Sequence, residues 1–266
     1  LITIEQLPIF SDNVVYAVDV DGDAFVVDPG EADAVVAWLN RGPRRLKAIL
    51  NTHHHPDHVG GNLALAAQTG CRIYGPAHDL ERIPGATDAV AVNTSISVCG
   101  VTLRVLDVRA HTLGHIAYAM DDGADVVVQH GHGGIPTAMD DVASRPVLFV
   151  GDSLFAAGCG RLFEGNKAQL CAALRTLAAE DPRSLVCCAH EYTAANLRFA
   201  VAMFPDNAAI AARAAGLDDV MGTSRSSIPS TLSLELQTNP YLLALQDADP
   251  EERAFDTRQK KDIFPG

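Results

Sequence analysis

Apolar positions in this chain gather into short runs separated by turns rich in Gly, Pro and Asp. Residues 13 to 20 (Asn-Val-Val-Tyr-Ala-Val-Asp-Val) and 24 to 28 (Ala-Phe-Val-Val-Asp) read as two strands of a hairpin around Asp21-Gly22-Asp23, and Asp28-Pro29-Gly30 ends the second. A helix is predicted from about Ala32 to Asn40, then a buried strand from Leu46 to Asn51. This alternation begins an α/β chain. A helix starting near His58, a short run at Arg72-Ile73-Tyr74, and strands at about 96 to 107, 147 to 150 and 184 to 188 continue it. Residues 121 to 146, acidic and Gly-rich with His130 and His132 inside them, read as a long surface excursion. Beyond Thr193 the pattern turns helical, over Ala194 to Met203, Asn207 to Leu217 and Glu251 to Lys261. Gly222 to Ser227 reads as a flexible connection, Pro229-Ser230-Thr231 as a helix start and Asn239-Pro240 as a stop.

The chemistry collects where the strands end. Thr52-His53-His54-His55-Pro56-Asp57-His58 follows one strand directly and leads into a helix, so it is a strand-to-helix turn with Asp57 near the helix's positive end. Four imidazoles and a carboxylate so close together make a poor core, because each buried polar ring needs a partner, and a metal ion supplies one. His111 follows the strand Thr102 to Leu106, Asp152 follows Val147 to Val150, and His190 follows Ser184 to Cys188. Separate apolar runs thus each deliver a metal-competent side chain, a repetition that outweighs any single motif. The candidates are His53, His55 and His111 for one ion and Asp57, His58 and His190 for a second, with Asp152 able to bridge both. Nitrogen and oxygen ligands suit zinc, iron or manganese. His54 points away from its neighbours in the alternation and reads as a surface or supporting residue. His115 is expected to hydrogen-bond locally, His78 to be exposed, and His130 and His132 to be ordinary loop residues. Cys159, Cys187 and Cys188 read as buried packing.

At 266 residues the chain can bury one large domain or a domain plus an appendage. A formal charge of -13 argues against nucleic acid as the main partner, and any anion it binds needs its few basic residues concentrated locally. No apolar run reaches membrane-spanning length, and Leu1-Ile2-Thr3-Ile4-Glu5 has no secretory pattern. Opening on Leu1 leaves room for a segment upstream. The six cysteines, with Cys187 and Cys188 adjacent, do not resemble a disulfide framework, so a reducing compartment is expected, the cytoplasm or an organellar matrix.

Assembled, Phe10-Ser11-Asp12-Asn13, Val27 to Gly30, Thr52 to Asn62, His111 to His115, Gly151 to Phe155, Gly158 to Gly165, His190 to Thr193, Pro229 to Thr231 and Arg258 to Asp262 give the chain a resemblance along nearly its whole length. It resembles the metallo-β-lactamase superfamily and, within it, the glyoxalase II (hydroxyacylglutathione hydrolase) family. That resemblance implies an α/β fold, an αββα sandwich over residues 1–190 followed by a helical substrate-binding domain over 191–266. It implies thiol-binding positions at Arg161, Phe163, Tyr192, Arg258 and Lys261. Phe163 stands where some members carry Tyr, and residues 216 to 228 match poorly. The implied activity is hydrolysis of S-D-lactoylglutathione and related 2-hydroxyacylglutathiones to D-lactate and glutathione, in methylglyoxal detoxification. A monomer with no nucleic-acid or membrane partner is expected.

A thiolate leaves without a proton at neutral pH, so the site's task is to make a nucleophile and stabilise an oxyanion. Two divalent ions, zinc first and iron or manganese otherwise, serve both ends. A hydroxide held between them, its water pKa lowered from about 15.7 towards about 7, is the expected nucleophile, with Asp57 and Asp152 as the catalytic carboxylates. Asp28 and Thr52 are expected to orient ligands, and Arg161, Arg258 and Lys261 to clamp the thiol's carboxylates while Lys260 stays solvated. Competing readings are a single-iron persulfide dioxygenase using His53, His111 and Asp152, and another hydrolase of the superfamily acting on a lactone or lactam. A purely structural metal scaffold is disfavoured by the cost of assembling adjacent, water-accessible ions for structure alone.

Overall fold

In the computed structural model, which describes residues 2–121, 126–130, 145–224 and 226–265 (backbone alone at 126–130, 223 and 224), the chain opens with strands β1 (Ile2–Ile9), β2 (Asn13–Val20) and β3 (Asp23–Val27). Helix α1 (Asp33–Leu39) leads to β4 (Arg45–Leu50), the short helices α2 (Pro56–Val59) and α3 (Asn62–Thr69), and β5 (Arg72–Pro76). A 3-10 turn (Ala77–Arg82) precedes β6 (Asp88–Val90), β7 (Ser95–Val98), β8 (Val101–Asp107), β9 (Ile116–Met120) and β10 (Val126–His130). Then come β11 (Val147–Gly151), α4 (Lys167–Ala178), β12 (Leu185–Cys188), α5 (Thr193–Met203), α6 (Ala208–Ala215) and α7 (Leu217–Ser224). The two-residue β13 (Ser230–Thr231) and helices α8 (Leu232–Thr238), α9 (Pro240–Ala244) and α10 (Pro250–Asp262) close the chain.

The strands form two sheets, ordered β10-β1-β2-β3-β4-β5-β6 and β13-β12-β11-β9-β8-β7. Side-chain alternation sorts the apolar residues of the first sheet onto its two faces. Tyr16, Val18, Phe25 and Val27 join a core shared with Leu103, Val105, Tyr118 and Phe149 of the second sheet. Val15, Ala17, Ala24 and Val26 join a separate core with Val35 and Trp38 of α1 and Leu65 of α3. The Phe149 ring meets Tyr16 and Phe25 edge-on, at 5.9 and 6.4 Å between centroids, and so ties sheet to sheet. Leu170, Leu174 and Leu177 of α4 belong to the same shared core. The result is the helix-sheet-sheet-helix sandwich that the resemblance implies. Each buried Val, Leu or Phe in these cores contributes about 1.5–3 kcal/mol.

Local departures from the sequence reading have physical causes. Strand β1 escapes the pattern because Glu5 and Gln6 are polar yet buried: Trp38 and Arg41 donate to the Glu5 carboxylate, and Gln6 Nε2 donates to the Ile228 carbonyl. The stretch 121 to 146 is not all excursion, since Val126–His130 pairs in parallel with β1, from Ile2 opposite Val126 to Gln6 opposite His130. The His130 side chain and all of His132 lie outside the described residues. Gly222 continues helix α7 instead of starting a flexible connection. Ser230 and Thr231 pair with β12, and the Thr231 hydroxyl then caps α8 by accepting from Leu234 N at 3.3 Å. Among the described residues no helix is long and apolar enough to cross a membrane.

Candidate metal centre

Every predicted ligand sits just beyond the C-terminal end of a strand: His53, His55, Asp57 and His58 after β4, His111 after β8, Asp152 after β11 and His190 after β12. The strand ends converge because their sheets face each other. The turn at Gly151 has φ +51, and a Cβ there would lie 2.3 Å from Thr52 Oγ1 and 2.9 Å from His115 Cε1, so the residue before Asp152 has to be glycine.

The side chains form two groups whose ligand atoms lie within 4.8 Å of one another, His53-His55-His111 and Asp57-His58-His190. In the first, His55 Nδ1 lies 3.0 Å from His53 Nε2 and 3.1 Å from His111 Nε2. In the second, Asp57 Oδ2 is 3.5 Å from both His58 Nε2 and His190 Nε2. Asp152 stands between them. Its Oδ2 is 3.4 Å from His111 Nε2, while its Oδ1 is 3.4 Å from His58 Nε2 and from His190 Nε2.

The far nitrogens of the rings are engaged, which fixes what the near ones can do. His111 Nδ1 donates to the Arg161 carbonyl at 2.7 Å, His58 Nδ1 faces Asp28 Oδ2 at 3.1 Å, and His190 Nδ1 faces Asp12 Oδ1 at 2.8 Å. Each acceptor takes a hydrogen bond from the Nδ1 proton, so the neutral ring presents a bare Nε2 toward the centre. The Asp28 carboxylate also accepts from Thr52 N at 2.8 Å and Thr52 Oγ1 at 2.6 Å. That hydroxyl, its proton spent on Asp28, is left to accept from His53 Nδ1 at 3.0 Å. Asp28 can also be grouped with His53 and His58, but its oxygens are occupied on the rear of those rings.

Electrostatics separate the groups. Burial and the neighbouring histidines push His53 well below the ordinary imidazole range, burial takes His55 down to about 4, and burial lowers His111. Three bare nitrogens at contact distance repel unless a cation sits among them. In the second group burial opposes charge, yet Asp152 and Asp28 outweigh it and lift His58 to about 9. Burial opposes ionisation of Asp152 as well, but His58 and His190 hold it far below the usual carboxylate range. His58 Nε2 and Asp152 Oδ1 are buried with no hydrogen-bond partner among the described residues. This donor set fits divalent cations in both groups.

Of the remaining histidines, His115 is fully buried, stacked on His53, and its Nε2 accepts from Asp152 N at 3.1 Å, so its partner is distant in sequence and not local. His78 is exposed as expected, and Cys159, Cys187 and Cys188 are buried free thiols. Two supports escape the sequence reading. Asp12 holds His190, and Asn13 Nδ2 donates to Asp57 Oδ2 at 2.9 Å. Asp12 lies in the short turn before β2 and Asn13 opens that strand, where the run Phe10-Ser11-Asp12-Asn13 was their one signal.

Around the centre, Phe163 is exposed and sets its ring edge-on to His55 and His111 at 5.5 and 5.2 Å, and Tyr192 stacks on His190 at 4.8 Å. Arg161 is exposed, 3.7 Å from Asp262. Arg258 is 5 % exposed, with Nη1 donating to the Cys159 carbonyl at 2.8 Å and Nη2 to Asp262 Oδ1 at 2.9 Å. Lys261 is half-buried and donates to the Ala195 carbonyl at 2.9 Å; burial, Arg258, Arg198 and Arg161 bring it down to about 8. Arg198 is thus a further member of the cationic cluster that sequence reading missed.

Two layers of similarity agree with this geometry. Residues 9–190 match the metallo-beta-lactamase superfamily model, the class that a two-sheet sandwich with a histidine-rich metal centre at its strand ends defines. Residues 191–264 match the model described as hydroxyacylglutathione hydrolase C-terminus. A protein named hydroxyacylglutathione hydrolase from Pseudomonas aeruginosa (strain LESB58) is 44% identical over 91% of this chain and 86% of its own. One of the same name from Methylococcus capsulatus is 39% identical over 100% of both. Among solved structures, ETHE1 from Myxococcus xanthus superposes with a TM-score of 0.68 at 19% identity, covering 98% of this chain and 92% of its own, a likeness of fold. The chain belongs to the hydroxyacylglutathione hydrolase family of the metallo-beta-lactamase superfamily.

Proposed function

We propose that the protein is a thiolester hydrolase that cleaves S-D-lactoylglutathione and related 2-hydroxyacylglutathiones to the hydroxy acid and glutathione. The observation that carries this reading is the pairing of a two-group metal centre with a concentrated set of cations on an otherwise acidic chain. The family's name, hydroxyacylglutathione hydrolase, points to a thioester of an anionic thiol, a substrate that uses both features. His53, His55 and His111 would hold one ion and Asp57, His58 and His190 the other, with zinc the first choice for this nitrogen and oxygen set. When bound, such ions lower the pKa of water from about 15.7 towards about 7 and polarise a carbonyl oxygen.

The chain's own residues do the rest. Asp152, with one oxygen toward each group, keeps the two halves in register. Asp28 and Asp12 hold His58 and His190 in the tautomer that leaves Nε2 bare. Asp57 is the most open carboxylate of the centre, at 41% side-chain exposure, and Asn13 aims it, so it is suited to handle a proton at the reacting face. Phe163 and Tyr192 line the mouth with apolar rings that exclude water from the thioester. Arg161 and Lys261 attract the carboxylates of the thiol, while Arg258 holds Cys159 and Asp262 in place beside them. A single-iron oxygenase would need no more than His53, His111 and Asp152, and the close, well-supported second group favours the hydrolase.

The test is hydrolysis of S-D-lactoylglutathione, followed as loss of thioester absorbance, with metal content measured on the same preparation. Turnover with about two metals per chain is expected. Sulfite formation with oxygen uptake by a single-iron protein would overturn the reading.

A further inference from the structure

We propose that His54, Asp79, Arg82 and Glu164 form a brace that positions the His53-His55-His111 group, locking its two ligand-bearing turns to each other and to the Phe163 rim. The proposal rests on reading that group as a metal site. None of these four residues is a candidate ligand, and none belongs to the cationic cluster described above. Asp79 is 2% exposed and is met by His54 Nδ1 at 2.9 Å, His78 Nδ1 at 3.0 Å and Arg82 Nη1 at 3.6 Å. A buried carboxylate is costly and weak evidence for stability, so its placement calls for another reason.

That reason lies in what it joins. His54 is set between two ligands, its ring 6.3 Å from His53 and 5.0 Å from His55. On the other side Gly114, three residues past His111, is pressed against Asp79 so closely that a Cβ would lie 2.2 Å from Oδ2. Arg82 then reaches across with Nη2 to Glu164 Oε1 at 2.8 Å, and Glu164 Oε2 accepts from Leu113 N at 2.8 Å. Next to Glu164, Phe163 N donates to the His111 carbonyl at 3.2 Å while its ring touches His55 and His111. The path thus runs from the turn bearing His53 and His55, through Asp79 and Arg82, to the loop bearing His111 and its rim. The second group has no part in it, being held by Asp28, Asp12 and Asn13.

Arg82 is the place to cut the link. It is 46% exposed at its side chain, and without it Asp79 keeps both imidazoles and Glu164 keeps the Leu113 amide, so the fold should survive. Zinc affinity is measured on the full-length chain by competition with a chromogenic chelator, in wild type, Arg82→Gln, Glu164→Gln, the double variant and Arg82→Lys. Melting temperatures are taken on the metal-free proteins. The expected result is one zinc bound about ten- to a hundredfold more weakly in either single variant and the other unchanged. The double variant should lose no more than a single one, because both cut the same link. Arg82→Lys, which keeps the cation, should hold that zinc more tightly than Arg82→Gln. Unchanged affinity for both zincs in the single variants overturns the brace. So does an equal loss at both sites with a lowered metal-free melting temperature, the mark of general loosening. A wild-type chain that takes up no zinc overturns the reading of the site itself.

Discussion

The metal-ligand cluster and the cationic cluster meet at the segment Cys159 to Arg161, and they are built on opposite lines. His111 is anchored to the Arg161 carbonyl from one side, and Arg258 to the Cys159 carbonyl from the other. The candidate ligands ride on strand ends, and four of the histidines have their rear nitrogen tied by a further hydrogen bond. The cations come from a loop (Arg161), from α5 (Arg198) and from α10 (Arg258 and Lys261), on long side chains, with Asp262 as the carboxylate among them. Metal geometry tolerates little displacement, so it is placed on rigid elements with support behind them. Drawing in an anion needs charge density more than exact placement, and four cations gathered from separate segments supply it.

Three changes sharpen the contrast. The largest effect is expected for Asp152→Ala, which removes the carboxylate facing both groups. kcat/KM for the thioester should fall by about a thousandfold or more, several kcal/mol of transition-state stabilisation. A loss confined to KM would show that the carboxylate serves binding alone. Next, Asp28→Asn should leave the fold intact but weaken metal retention by about ten- to a hundredfold, because His58 and Thr52 lose the anion that orients them. Metal retained through dialysis against chelator, compared with wild type, checks it.

The smallest effect belongs to the cations. Lys261→Gln should raise KM about tenfold with metal content unchanged, the worth of one charge-assisted contact. The pH dependence follows from its lowered pKa of about 8. Below that value Lys261 is charged and attracts the substrate's carboxylates. As pH rises through it the charge is lost, so wild-type KM should climb while the variant's KM, already high, stays level. A wild-type KM that is flat across this pH range would show that the cations do not read substrate charge.

Much of the ligand cluster was legible because its signal is local. Histidines and carboxylates stand immediately after apolar runs, and the end of a strand fixes where they point. His115 and His54 fall outside the two candidate ligand groups, and their partners, Asp152 N and Asp79, lie far off in sequence. Asp12 and Asn13 lie in a motif that did not disclose what they hold, and Arg82 and Arg198 carry no periodic or motif signal at all, since a hydrogen bond or a charge contact between distant segments leaves no spacing to read. Strand β1 was hidden for a related reason: its buried Glu5 is tolerable there because Trp38 and Arg41 satisfy it.

The chain by itself determined the α/β alternation, the strand ends and the identity of the metal-competent side chains, all of which depend on neighbours a few residues apart. Tertiary structure alone decided that Asp152 turns one oxygen to each group, that Arg258 is buried with two of its nitrogens already engaged, and that Glu164 and Arg82 connect the two ligand turns. Those outcomes follow from two sheets closing face to face, which brings strand ends and helix sides together across sequence distances that no local pattern records.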